Sequence, residues 1–64
     1  MKHIIQHHTS GHVVAVRLSR DPFRLSPNVD DAFLYDDHDD AERERALLLS
    51  FAPAWESKPA GSAA

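Results

Sequence analysis

The first third of the chain places its apolar residues in two short runs separated by a polar turn, which is the pattern of a β-hairpin. Residues 12–18 are rich in β-branched side chains, and residues 2–8 supply the matching strand. Thr9-Ser10-Gly11 between them predicts a three-residue loop with Gly11 in the left-handed conformation. That loop would place Gln6 opposite Val14, whereas a two-residue loop would place His7 opposite Val14, and both registers stay open.

The middle of the chain is less regular. Residues 19–31 form a connection with turn signals at Asp21-Pro22 and Ser26-Pro27. Thirteen residues is long for a loop in so small a domain, so part of it is expected to be regular or to pair at a sheet edge. Residues 32–36 fit either a third strand or the end of a helix that starts with Ser26 as its N-cap.

The last third of the chain predicts a helix over residues 40–52. Asp39 as N-cap with Glu42 three residues later has the pattern of a capping box. Most of the large apolar residues that follow fall on one arc of a helix with 100° per residue. Pro53 cannot continue a regular helix, so we expect the helix to end near Ala52, with Trp55 in a final turn.

Together these elements predict an α+β fold, in which a small antiparallel sheet packs against one main C-terminal helix. The sheet contains the N-terminal hairpin, with residues 32–36 as its third strand in one of the two alternatives. We expect a single domain over residues 1–57 and a loose tail over residues 58–64, which are small and polar. The predicted core residues are Ile4 or Ile5, Val14, Val16, Leu18, Phe33, Leu47, Leu48, Phe51 and Trp55.

Composition limits the class of protein. The chain has 64 residues and no cysteine, which excludes disulfides and thiolate-bound zinc. No apolar run approaches the ~20 residues that span a bilayer, and the N-terminal segment lacks the apolar stretch of a secretion signal. We therefore expect a cytoplasmic protein without a membrane partner.

Charge is distributed unevenly along the chain. Residues 1–29 carry four cations and one acid, a charge of +3, whereas residues 30–45 carry eight acids and two arginines, a charge of −6. An acidic segment of this density attracts positively charged surfaces. The eight carboxylates that we predict to contact a partner are Asp30, Asp31, Asp36, Asp37, Asp39, Asp40, Glu42 and Glu44.

Four histidines, His3, His7, His8 and His12, fall in the predicted hairpin. Imidazole is a ligand for zinc, copper and nickel, but no cysteine completes a set, and His3 and His7 lie about 13 Å apart along a strand. We expect solvated or partly packed side chains and neither a metal nor another cofactor. A metal- or pH-responsive binding module built on these histidines is the alternative.

The sequence contains no catalytic motif. The run from Asp36 to Asp40 lacks the glycine at the sixth position and the glutamate at the twelfth position of an EF-hand calcium loop. Gly11 and Gly61 are the only glycines, so a glycine-rich phosphate loop is absent. We expect a protein that is not an enzyme.

The acidic segment has three interpretations: a solvated helix start, an imitation of nucleic-acid phosphates, or a docking patch for another basic partner. Direct nucleic-acid binding is disfavoured, because the arginines adjoin a segment of charge −6 and the isoelectric point is about 5.9. We predict an inhibitor or interaction protein whose unneutralised carboxylates block a basic nucleic-acid-binding site on a larger protein. A monomer is favoured, and a homo-oligomer stays open.

The small size, the lack of cysteine and of catalytic motifs, the short sheet and the concentrated acidic segment resemble those of phage-encoded anti-CRISPR proteins. The resemblance lies in overall character and carries no signature motif. It implies a non-enzymatic inhibitor in the host cytoplasm, with a CRISPR surveillance complex as its partner. Antitoxins are similar in the same respects, and an antitoxin-like protein is a further alternative.

Overall fold

The computed structural model describes residues 2–62, with the backbone alone for residues 49–52 and 62. Its strands are β1 (His3–His7), β2 (Val13–Val14), β3 (Leu25–Ser26) and β4 (Trp55–Pro59). They form one antiparallel sheet in the spatial order β3-β2-β1-β4. The α-helix α1 (His38–Arg45) lies between β3 and β4 in the chain, so the predicted α+β fold is confirmed. The short 3-10 segments are Val29–Asp31, Ala46–Ala54 and Ala60–Ser62.

The N-terminal hairpin forms, but in a register that neither predicted loop gives. Gln6 lies opposite Val13, and the connection is the four-residue turn from His8 to Gly11. Gly11 has a φ of 77°, the left-handed conformation expected for it. The register was not specified by alternation because neighbouring residues are buried on both faces of the sheet: Ile4 and Ile5 are 1% and 0% exposed.

Residues 55–59 form a strand that the sequence analysis did not predict. Trp55 pairs with His7, and Lys58 and Pro59 pair with Ile4 and His3. The expected loose tail is therefore wrong for Lys58 and Pro59, and Trp55 begins a strand instead of ending a helix. Residues 56–59 include no β-branched or aromatic residue, so their conformation comes from the open edge of β1 and not from local propensity. Residues 63–64 lie outside the described residues.

The long connection after β2 does pair at an edge, as expected, because Leu25–Ser26 forms β3 against Val13–Val14. The turn toward β3 starts at Arg17, whose carbonyl oxygen accepts hydrogen bonds from the N–H groups of Arg20 and Asp21, both at 3.0 Å.

Neither alternative for residues 27–36 is fully correct. In place of a strand, Tyr35 makes a single bridge to His3, with backbone hydrogen bonds of 2.8 and 2.9 Å. In place of a helix from Ser26, one 3-10 turn covers Val29–Asp31. Asn28 caps this turn because its side-chain oxygen accepts from the Asp30 N–H.

α1 begins two residues earlier than predicted and ends earlier. Its N-cap is Asp37 and not Asp39, since Asp37 has extended backbone angles and its Oδ1 accepts from the Asp40 N–H at 2.8 Å. Several aspartates in this run are able to cap, which is why the sequence did not fix the start. After Arg45 the chain continues in 3-10 geometry, so successive residues advance by about 120° instead of 100°.

The core lies mainly between α1 and the sheet. Its buried cluster is Ile5, Val14, Tyr35, Ala41 and Trp55, with Val16, Leu18, Phe33, Leu48 and Ala54 packed against it. Leu47 was predicted in the core but is 51% exposed, because the packed side of the helix passes through Ala41 and Leu48, and Leu47 lies at least 100° around the axis from Leu48. Tyr35 and Val13 are fully buried and were not predicted. The side chain of Phe51 lies outside the described residues.

Candidate functional site

Two of the predicted site carboxylates bind one arginine. Arg17 Nη2 lies 3.0 Å from Asp40 Oδ2, and Arg17 Nη1 lies 3.2 Å from Glu44 Oε1. Asp40 and Glu44 are one helical turn apart, so α1 presents both to the same cation. The guanidinium also lies over the rings of Phe33 and Tyr35, with its carbon 5.2 and 5.6 Å from their centroids.

We define the arginine cluster as Arg17, Ser19, Tyr35, Asp40 and Glu44, and its charged members are largely shielded from water. The side chains of Arg17, Asp40 and Glu44 are 27%, 13% and 6% exposed. Glu44 also accepts a hydrogen bond from the Ser19 hydroxyl at 3.0 Å. The hydrogen bond from Arg17 lowers the pKa of Asp40, and the same bond raises the pKa of Arg17. Arg17 and Asp40 therefore keep their charges and use them within the molecule.

Tyr35 closes the cluster from the core side. Its hydroxyl donates to the Val16 carbonyl oxygen at 3.0 Å, and its ring lies 4.9 Å from that of Phe33. Burial and the nearby charge of Glu44 raise the pKa of Tyr35 to about 12. The hydroxyl is thus kept as a neutral donor that holds the loop before Arg17.

Glu42 faces the opposite flank of α1. It is two residues from both Asp40 and Glu44, about 200° around the helix axis. Glu42 Oε2 accepts from Arg45 Nε at 2.7 Å and from the Ser57 hydroxyl of β4 at 2.8 Å. The hydrogen bond from Arg45 is the main reason that the pKa of Glu42 is lowered. This carboxylate joins the helix to the edge strand.

Three other carboxylates lie exposed at the start of α1: Asp36, Asp37 and Asp39. Lys2 Nζ lies 2.7 Å from Asp36 Oδ1, but the two side chains are 55% and 76% exposed. The hydrogen bond from Lys2 lowers the pKa of Asp36. We call these three residues the helix-start acids.

Asp30 and Asp31 lie apart from the helix-start acids, in the 3-10 turn that follows β3. The Ser26 hydroxyl donates to Asp31 Oδ2 at 2.7 Å, which ties Asp31 to the edge strand. Asp30 is exposed. The eight carboxylates are thus divided among four places, and four of them are in ion pairs. The expectation that the carboxylates stay unneutralised on one surface is therefore wrong. It could not have been corrected earlier, because the sequence does not show that Arg17 reaches α1.

The histidines are distributed over both ends of β1. His3 makes an edge contact with His38, with ring centroids 5.6 Å apart, whereas the His7 ring lies 5.5 Å from that of His8 and 5.0 Å from that of Trp55. Among residues 2–62, no group of three His, Asp or Glu side chains is arranged to hold a metal ion. The metal-responsive alternative therefore gains no geometric support from this part of the chain.

Sequence reasoning named the acids but missed their internal partners. Ser19, Tyr35 and Ser57 have no motif that would have identified them, and the i, i+4 spacing of Asp40 and Glu44 was the only signal of a shared partner. Of the three arginines in residues 1–29, Arg17 binds Asp40 and Glu44, while Arg20 and Arg24 are exposed on either side of the half-exposed Phe23.

Within residues 2–62, no helix has both the length and the apolar character that a membrane crossing requires. No protein-family model, curated protein or solved structure matches this chain. The comparisons therefore neither support nor oppose the resemblance to anti-CRISPR proteins, which stays a prediction.

Proposed function

We propose that the protein is a non-enzymatic interaction protein that docks its helix-start acids on a basic surface of a larger protein. The observation that carries the proposal is the exposure of Asp36, Asp37 and Asp39, three acids within four consecutive residues at the start of α1. Capping uses one carboxylate oxygen of Asp37, and the Lys2 pair of Asp36 is open to water, so most of this charge is accessible to a partner.

The proposal is narrower than an imitation of duplex DNA. A duplex carries one charge per ~1.7 Å of its axis, and an imitation of it needs a long unbroken row of anions. Asp40, Glu42 and Glu44 are engaged inside the molecule, and Asp30 and Asp31 lie beside β3. Three exposed acids within four consecutive residues fit a cluster of Lys and Arg side chains. A basic nucleic-acid-binding site, such as that of a CRISPR surveillance complex, is the partner surface that we favour.

A capture experiment tests the proposal with two charge-matched variants. Asp37→Ser with Asp39→Asn removes two helix-start acids and keeps a capping oxygen at position 37. Asp21→Asn with Glu56→Gln makes the same change of net charge at exposed positions elsewhere. The immobilised chain and both variants are exposed to lysate proteins at about 50 mM and about 300 mM salt, and the captured proteins are identified.

We expect a protein with a basic nucleic-acid-binding surface to be captured by the unmodified chain and by the Asp21/Glu56 variant. The Asp37/Asp39 variant should capture several-fold less of it, and duplex DNA should compete for the captured protein. Capture should fall at the higher salt because exposed charges are screened within about 10 Å at 0.1 M. Equal capture by the two variants, or capture that is insensitive to salt, would contradict the proposal.

A further inference from the structure

The ring of His7 holds the turn of the hairpin through one nitrogen. Nδ1 of His7 accepts hydrogen bonds from the backbone N–H groups of Thr9 and Ser10, both at 3.2 Å. An imidazole nitrogen accepts only through its lone pair, so Nδ1 carries no proton and the neutral ring has its proton on Nε2. The His7 backbone closes the same turn, since its N–H donates to the His12 carbonyl and its carbonyl accepts from the Gly11 N–H.

The ring of His7 packs against two other aromatic rings. Within residues 2–62, Nδ1 of His7 accepts from the two amides of the turn, and the His7 ring lies stacked on that of His8 and perpendicular to that of Trp55 from β4. The nearby titratable or charged groups are His8, His12, whose Nδ1 lies 3.0 Å from the Ser10 hydroxyl, and Arg45 of α1, which donates to the Trp55 carbonyl at 3.1 Å. On β4 the carboxylate next to Trp55 is Glu56, which pairs opposite Gln6 and lies 3.1 Å from Lys58 Nζ.

We propose that the hairpin turn is a pH-sensitive element, which neutral His7 holds closed and which opens when Nδ1 of His7 gains a proton. Histidine side chains ordinarily change charge between about pH 5 and 8. The added proton occupies the lone pair and faces two amide hydrogens, so both hydrogen bonds are lost together. Opening moves the ring away from Trp55, at the end of β1 opposite His3 and the start of α1.

Nuclear magnetic resonance on the unmodified chain tests the proposal directly. At pH 7.5 the imidazole nitrogen shifts of His7 should show Nδ1 without a proton. Between about pH 7.5 and about pH 5.5, amide exchange of Thr9 and Ser10, corrected for the intrinsic effect of pH, should accelerate on the order of tenfold relative to Ile5. A proton on Nδ1 at pH 7.5, or amides of Thr9 and Ser10 that do not respond, would overturn the proposal.

Two matched variants identify the responsible ring. His7→Asn places an amide oxygen near the position of Nδ1 and cannot titrate, so its turn should stay closed across the range. His8→Asn makes the same change one residue later and should keep the response of the unmodified chain. A response that persists in His7→Asn, or that disappears only in His8→Asn, would refute the role of His7. If His7→Asn fails to fold, the tautomer measured in the unmodified chain decides the question.

Discussion

The carboxylates between Asp36 and Glu44 separate into two groups with different environments. Asp40, Glu42 and Glu44 lie along α1. Asp40 and Glu44 bind Arg17, and Glu42 binds Arg45 and the Ser57 hydroxyl of β4. Asp36, Asp37 and Asp39 lie at the helix start and face water. Carboxylates a few positions apart therefore have different roles. Those of the first group bind side chains of the same molecule, and those of the second group are accessible to a partner.

The difference teaches that charge density along a sequence is a poor guide to charge on a surface. A helix turns by 100° per residue, so Asp39 and Asp40 point in clearly different directions although they are neighbours. Whether a carboxylate is neutralised depends on the element that faces it, and here Arg17 reaches Asp40 and Glu44 from positions 23 and 27 residues earlier in the chain. The two groups are therefore expected to respond differently to the same substitutions.

The largest effect is expected from Arg17→Met. This change removes Arg17 from Asp40, which keeps Arg43 at 3.5 Å, and leaves the nearly buried Glu44 with the Ser19 hydroxyl as its remaining partner. Leaving a buried charge without its partner is strongly destabilising, so we expect the melting temperature to fall on the order of 10 °C in a thermal melt.

Two further variants show whether the loss comes from the charge. Arg17→Lys keeps a cation but lacks the planar guanidinium that reaches two carboxylates. Its melting temperature should therefore lie between those of the unmodified chain and Arg17→Met. Adding Glu44→Gln to Arg17→Met should restore part of the loss, because the unpaired charge is then gone. A melting temperature of Arg17→Met equal to that of the unmodified chain would show that the interior acids do not stabilise the fold.

The next effect concerns Tyr35 at high pH. A pKa raised from 10.0 to about 12 means that the folded state favours the neutral phenol of Tyr35 over the phenolate. Its stabilisation is complete below pH 10 and is lost as the pH rises through 12, by on the order of 2 kcal/mol. Tyr35 is the only tyrosine, so absorbance near 295 nm should titrate near 12 in the folded chain and near 10 in urea. Titration near 10 in both would contradict the shielding of the cluster.

Glu42→Gln should have a smaller effect. The Glu42 and Arg45 side chains are 36% and 28% exposed, so water already screens their attraction, and we expect a loss of about 1 kcal/mol or less in urea unfolding. The pKa of Glu42 is lowered from 4.5, so its contribution is present above that pH and disappears as the pH falls below it. The variant and the unmodified chain should therefore converge in acid. A difference that grows in acid would assign the effect to something other than this ion pair.

The sequence was sufficient for the elements that local chemistry determines. Gly11 marked the turn of the hairpin, the aspartates marked the start of a helix, and Trp55 was correctly placed in the core. The unusual length of the connection after β2 also indicated the edge pairing that β3 makes.

The features that could not be predicted from the sequence depend on contacts between distant segments. β4 is formed because β1 has an open edge, although its residues 56–59 have low strand propensity. The hairpin register could not be predicted because side chains are buried on both faces of the sheet. The alternation of apolar and polar residues that would specify a register is therefore absent. The ion pairs of the candidate site could not be predicted for the same reason. Arg17 was recognised as a cation, but no local pattern relates it to α1.

The smallest effect on stability is expected from Asp39→Asn, and it makes the sharpest comparison with Asp40→Asn next to it. Asp39 is exposed and contributes mainly through the helix dipole, which is a weak and screened interaction, so the melting temperature should change by no more than about 2 °C. Asp40→Asn weakens the bond to Arg17 and should lower the melting temperature several-fold more. Both variants have the same change in net charge, so a general effect of charge would move them equally. Equal melting temperatures would erase the distinction between interior and exposed acids, and with it the reason for assigning partner contact to the helix start.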